Sequence, residues 1–174
     1  MKTSCAKFIV LLMSLPALVM AGDVQAYSVK GVDLSAYKTY KLLPVRVLTG
    51  HGVIENEPEV SPFIVAALRK QLAQKGLTES ETADMEVSAG GLAVSIPQIE
   101  GFLFSPLSTV TWDSQITTIG RYNKEGTLIV NLIDARTNKS IWLGVAKRAL
   151  GRPSKLSTDI DKAANAMFKK YPSK

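Results

Sequence analysis

The sequence is poor in the side chains that catalysis and metal binding most often use. Its 174 residues include one cysteine and one histidine. Cys5 sits ahead of a long apolar run, so the chain beyond that run has no thiol. This excludes, for the remainder, a disulfide framework, a thiolate metal ligand and a cysteine nucleophile. With His51 as the sole imidazole and the carboxylates dispersed, a transition-metal site lacks ligands. A serine–histidine–acid triad would have to use His51, which lies between Gly50 and Gly52 and reads as a solvent-exposed loop residue; no Gly-x-Ser-x-Gly elbow accompanies it. Gly90-Gly91 lacks the lysine and the helix that a phosphate-cradling loop requires. No cofactor site is expected.

The amino terminus does carry a signal. Lys2 and Lys7 give a positive start, Phe8 to Ala21 is almost wholly apolar, and small residues at −3 and −1 mark two cleavage sites. One follows Val19-Met20-Ala21, the other Val24-Gln25-Ala26. This is the three-part layout of a secretory leader, and the apolar run is too short to span a bilayer easily. With the later site favoured, the expected division is a cleavable leader over 1–26 and one domain over 27–174. The expected location is the periplasm, with outer-membrane association open. Lipidation is not expected, because Cys5 precedes the apolar run. Removing the leader leaves 19 basic against 14 acidic residues. The charges are scattered, which reads as a soluble surface; Lys169, Lys170 and Lys174 offer at most a weak attraction to anionic lipid. Export and the absence of clustered base argue against nucleic acid.

Local patterns give the elements. Ala36 to Leu43 alternates and reads as a strand ending at Pro44. Val45 to Pro58 reads as a loop. Ser61-Pro62 reads as a helix opening, with Ile64, Val65, Leu68 and Leu72 on one face and Gly76-Leu77 as a left-handed stop. Thr78 to Thr82 is a polar link. From Asp84 a strand runs with Met85, Val87 and Ala89 on one face; the apolar phase slips at Gly90-Gly91, which predicts a bulge or bend. Residues 97–121 are broken by glycine and proline, with a strand expected over Thr109 to Thr118. Gly126 to Asp134 is apolar on both faces, as a central strand would be, and Asn138 suits a tight turn into an antiparallel partner over Ser140 to Ala146. Ser157 or Thr158 would cap a last helix, with Asp159 and Asp161 in its first turn, Ile160, Ala163, Ala164, Met167 and Tyr171 on one face, and Pro172 as the stop. The expected fold class is α+β: a two-layer α/β sandwich in which a mostly antiparallel sheet of four to five strands carries two helices on one face.

The stretch from Arg121 to Ala146 resembles the core motif of the domain of unknown function 4136 family of bacterial envelope proteins, many of them lipoproteins. The residues that carry the likeness are Tyr122, the run Glu125-Gly126-Thr127-Leu128, the Asp134-Ala135 turn, Trp142 and Gly144. Tyr37 to Tyr40, Lys75-Gly76-Leu77, Ala83-Asp84 and Lys170-Tyr171-Pro172 fit more loosely. The chain departs from the family in lacking a lipidation cysteine and in having Leu143 where an arginine is common. The resemblance implies the fold and an envelope location, and it supplies no reaction. The motif residues are read as structural.

Two functional readings follow. The first is a non-catalytic binding or structural module of the periplasm, not an enzyme. It would meet an envelope protein or lipid-like ligand through an apolar lip at Phe102, Leu103 and Phe104. The second is an envelope hydrolase or transferase using carboxylates, for which Asp84, Asp113, Glu125 and Asp134 are the candidates.

Overall fold

A computed structural model describes residues 24–49, 52–92, 126–147, 149–150 and 153–172. Eight strands form one mixed sheet: β1 (Val24–Ser28), β2 (Thr39–Leu42), β3 (Arg46–Thr49), β4 (Gly52–Glu55), β5 (Thr78–Glu79), β6 (Met85–Leu92), β7 (Thr127–Asp134) and β8 (Lys139–Ala146). Among the described residues two α-helices, α1 (Ser61–Gln74) and α2 (Leu156–Phe168), and two short 3-10 turns accompany the sheet. The main order across the sheet is β1-β8-β7-β6-β2-β5, while β3 lies beside β6 and carries β4.

The expected antiparallel core is present. β6, β7 and β8 pair antiparallel, and β7 is central, with Leu128, Val130 and Leu132 in the main core and Ile129 buried apart from it. The β7–β8 turn has Asn138 at φ 54°, the left-handed conformation that asparagine tolerates. The sheet as a whole corrects the expectation of four to five mostly antiparallel strands. β2 and β3 both run parallel to β6, and β2 runs parallel to β5. The segment read as a loop after Pro44 is the β3–β4 hairpin, and part of the polar link is β5. The first strand of the hairpin does carry an apolar alternation, since Val45 just before it and Val47 within it are buried in the core, whereas its partner and β5 do not reach that core. β4 is exposed along its length and β5 is two exposed residues, so backbone pairing, not apolar burial, defines them.

At Gly90-Gly91 the bulge that the phase suggests is absent, and Gly91 has another reason. β6 and β7 stay in register from Met85↔Asp134 to Leu92↔Thr127, so no bulge interrupts them. Gly91 makes room instead: a Cβ there would lie 2.5 Å from Leu150 Cδ1. The register breaks in β8, where Leu132 opposes Trp142 and Ile133 opposes Ser140, leaving Ile141 as the extra residue. That bulge lets consecutive residues, Ile141 and Trp142, both join the core.

Both helices bury the faces expected of them. Ile64, Leu68 and Leu72 of α1 are fully buried, as are Ile160, Ala164 and Met167 of α2. Val65 is only partly buried, packed at the margin of this core. Burying a leucine- or isoleucine-sized side chain stabilises by roughly 1.5–3 kcal/mol, so these residues anchor the helices to the sheet. α1 ends as expected. Gly76 at φ 75° donates to the Ala73 carbonyl and Leu77 donates to that of Leu72, a Schellman stop whose two leucines both belong to the core. The helix starts differ. Val60 precedes α1 without a side-chain cap, Ser61 lies inside the helix, and Glu57 Oε2 accepts from the amides of Glu59 and Val60. α2 begins earlier than read, at Leu156 after Lys155, so neither Ser157 nor Thr158 caps it. Asp159 is in its first turn; Asp161 pairs with Lys70 of α1 at 2.9 Å.

Candidate functional site

An open cavity of about 510 Å³ lies at one end of the sheet, where the chain enters β2 and β6 and leaves β7. Asp33, Tyr37, Asp84, Asp134 and Arg136 contribute its polar lining. Two of the four acids singled out in the sequence, Asp84 and Asp134, meet here. Asp113 and Glu125 lie outside the described residues, as do His51, Tyr122, the strand expected over Thr109 to Thr118 and the lip at Phe102, Leu103 and Phe104.

Each acid is engaged locally. Asp33 Oδ1 accepts from the Ser35 amide at 2.9 Å and so caps the short 3-10 turn Leu34–Ala36. Asp84 Oδ2 accepts from the amides of Lys38 and Thr39 and from Thr39 Oγ1, at 2.9 to 3.1 Å. The Asp84 amide donates back to Thr39 Oγ1 at 2.9 Å, which locks the entrance of β6 to that of β2. Asp134 Oδ1 accepts from the amides of Arg136 and Thr137 and from Thr137 Oγ1, holding the β7–β8 turn. Its other oxygen, Oδ2, accepts from the Tyr37 hydroxyl at 2.6 Å.

These bonds set the charge states. The Lys38 amide, with Thr39, holds the Asp84 carboxyl below the usual carboxylate range. The Tyr37 hydroxyl, with the turn donors, does the same for Asp134. Burial and the neighbouring Asp134 push the Tyr37 phenol well above its ordinary value, so it keeps its proton. Beside Asp33 and Arg136, the cavity thus presents the carboxylates of Asp84 and Asp134 held ionised and a Tyr37 proton already committed to Asp134. A carboxyl held ionised has no proton to give at neutral pH, and the two carboxylates do not share one. Among the described residues no group of three histidine, cysteine, aspartate or glutamate side chains is placed to hold a metal ion.

A smaller cavity of about 310 Å³ adjoins and shares Tyr37. Lys75 lies beside it, with Nζ 3.4 Å from the Tyr171 carbonyl oxygen and 5.6 Å from the centre of the Tyr171 ring. Tyr37 and Arg136 were not singled out as site residues from the sequence. Tyr37 reads there as one aromatic of an alternating run, and its partner is 97 residues away.

Apart from Asp134, the described motif residues lie in or beside the core. Trp142 is buried against Phe168 and Tyr171, with ring centroids 5.3 and 5.9 Å away. Gly144 leaves the space this ring needs, since a Cβ there would lie 2.6 Å from Trp142 Cη2 and 2.9 Å from Met167 Sδ. Gly126 adopts φ 91° at the start of β7, and its carbonyl accepts from the Leu150 amide. Thr127 is fully buried opposite Leu92. Leu143, where the family often has arginine, is buried in β8 opposite Tyr27.

Among the described residues no helix is long and apolar enough to cross a membrane. No curated protein matches the chain. Among solved structures it is similar to a DUF4136 family protein, BT2437, from Bacteroides thetaiotaomicron, with a TM-score of 0.62 and 14% identity over 87% of this chain and 96% of that one. It is also similar to a PelC dodecamer from Paraburkholderia phytofirmans, with a TM-score of 0.52 and 14% identity over 88% and 100% of the two chains. At these identities the likeness is one of fold. The model of the domain of unknown function DUF4136 matches residues 24–173, essentially everything described above, and the chain belongs to that family.

Proposed function

We propose that this protein is a non-catalytic module of the bacterial cell envelope, exported by its amino-terminal leader and acting by holding a partner. The observation that carries the non-catalytic part is the use made of Asp84 and Asp134. Both are spent on backbone and hydroxyl donors that tie strand ends together. The export part rests on the positive start at Lys2 and Lys7, the apolar run Phe8 to Ala21 and the small residues that follow. The partner is an envelope protein or a lipid-like ligand, and the contact assigned to it is Phe102, Leu103 and Phe104.

Incubation of the purified protein with cell-wall fragments and phospholipids is expected to release no product. Turnover that disappears in Asp84→Asn or Asp134→Asn, with the fold intact by circular dichroism, would establish the hydrolase or transferase reading instead.

A second reading, assembly of copies of this chain, is favoured by the PelC protein of similar fold, which forms a dodecamer. Sedimentation velocity across a hundredfold concentration range separates the two: one monomeric boundary throughout rejects self-assembly.

A further inference from the structure

We infer that the leader is cut after Ala21 and that Val24 to Ala26 belong to the mature domain. The inference rests on the export reading proposed above. The two cleavage sites are matched in sequence, each ending in valine, any residue, alanine, so the −3 and −1 residues alone do not choose between them. The fold distinguishes their products.

Val24, Gln25 and Ala26 are the first three of the five residues of β1. They pair in register with Ala146, Val145 and Gly144 of β8. The Val29 amide donates to the Ile141 carbonyl just past the strand, so by antiparallel alternation the hydrogen-bonded pairs are Tyr27↔Leu143 and Gln25↔Val145. Val24 and Ala26 are half-buried and pack against the main core. The Val24 carbonyl accepts from Lys170 Nζ at 2.7 Å, which fastens the strand to the end of α2.

A cut after Ala26 would remove Val24, Gln25 and Ala26, with their pairing to β8 and the bond to Lys170, and leave only Tyr27 and Ser28 of the strand. It would strip the partner from the backbone of the buried residue Val145 and expose core that Val24 and Ala26 cover. It would also place a charged amino group on Tyr27, in mid-strand opposite the buried Leu143. A cut after Ala21 leaves β1 whole and puts the new amino group on Gly22, two residues ahead of it. The family match likewise begins at Val24, ahead of the later cut.

The test is the intact mass and amino-terminal sequence of the full-length chain, expressed in a bacterium and recovered from the periplasm. The expected mature start is Gly22, and trimming to Asp23 or Val24 agrees with it. A start at Tyr27 overturns the inference while leaving export intact. A chain that keeps Met1 overturns it too; recovery of that chain from the cytoplasm shows that the export reading has failed, whereas recovery from the membrane shows export without cleavage. Two variants give an independent readout. Ala21→Arg is expected to accumulate precursor, and Ala26→Val, which suits a strand, to be processed as the parent is. The reverse pattern overturns the inference.

Discussion

The Tyr37 hydroxyl donates to Asp134 Oδ2 at 2.6 Å and so joins the approach to β2 to the end of β7, two elements that are not neighbours in the sheet. One phenol therefore braces the corner that lines the larger cavity.

Tyr37→Phe keeps the ring and removes the bond. A hydrogen bond to a charged acceptor contributes about 1.5–3 kcal/mol when buried, and this one is only partly buried, so a loss of about 1–2 kcal/mol is expected. Urea unfolding followed by tryptophan fluorescence reads it as a lower midpoint at unchanged slope. An unchanged midpoint would show that the bond contributes nothing net.

The same corner dictates a response to pH. Asp84 and Asp134 have carboxyls lowered in the folded state, so their stabilisation is complete above the unfolded carboxylate value of about 4 and is lost as pH falls through the lower folded values. Tyr37 behaves in the opposite sense. Its phenol is raised, so its contribution is present below about pH 10 and fades as pH rises further. Stability measured from pH 2 to 11 should fall at both ends. Asp134→Asn should shallow the acid limb and Tyr37→Phe the alkaline one. Limbs identical to the parent's would contradict the charge states assigned to this pair.

Gly144→Ala tests the packing of the buried tryptophan. The added methyl would meet both the Trp142 ring and Met167 Sδ, and the ring is hemmed in by Phe168 and Tyr171. Overpacking of this kind costs about 1–3 kcal/mol. Thermal unfolding and the Trp142 emission maximum are both expected to shift; tolerance of alanine would show that the glycine is not there for space.

Gly91 offers a sharper test, because its obstacle is a single side-chain tip. Gly91→Ala alone should destabilise by at most about 1 kcal/mol, because the obstacle, Leu150 Cδ1, is the end of a flexible side chain that can move aside. In the Leu150→Ala background the same change should cost much less. The coupling from the double-mutant cycle is the quantity to measure, and a value near zero rejects the contact.

Burial patterns explain which parts of the molecule were legible in the sequence. α1, α2, β7 and β8 each bury a recognisable stripe or a fully apolar run, and their positions follow from residues such as Leu68, Val130 and Met167. β4 and β5 bury no side chain and are held by backbone pairing; Val53 and Ile54 of β4 are apolar but exposed, so they mark no core face. The phase slip at Gly90-Gly91 suggests a bulge, whereas the reason at Gly91 is volume, which depends on Leu150, far along the chain. At the corner, Asp134 was legible as a turn acid because its donors Arg136 and Thr137 lie two and three residues on. Its bond to Tyr37 was hidden because nothing local requires it.

The pairing of β1 with β8 has a kinetic corollary. Val24 pairs with Ala146, so the first of the described strands to be synthesised pairs with the last. Contacts so distant along the chain must meet the entropy of closing nearly the whole loop before they repay it, and topologies rich in them fold slowly. The edge at β1 is therefore expected to form late in refolding, after β6, β7 and β8 have come together.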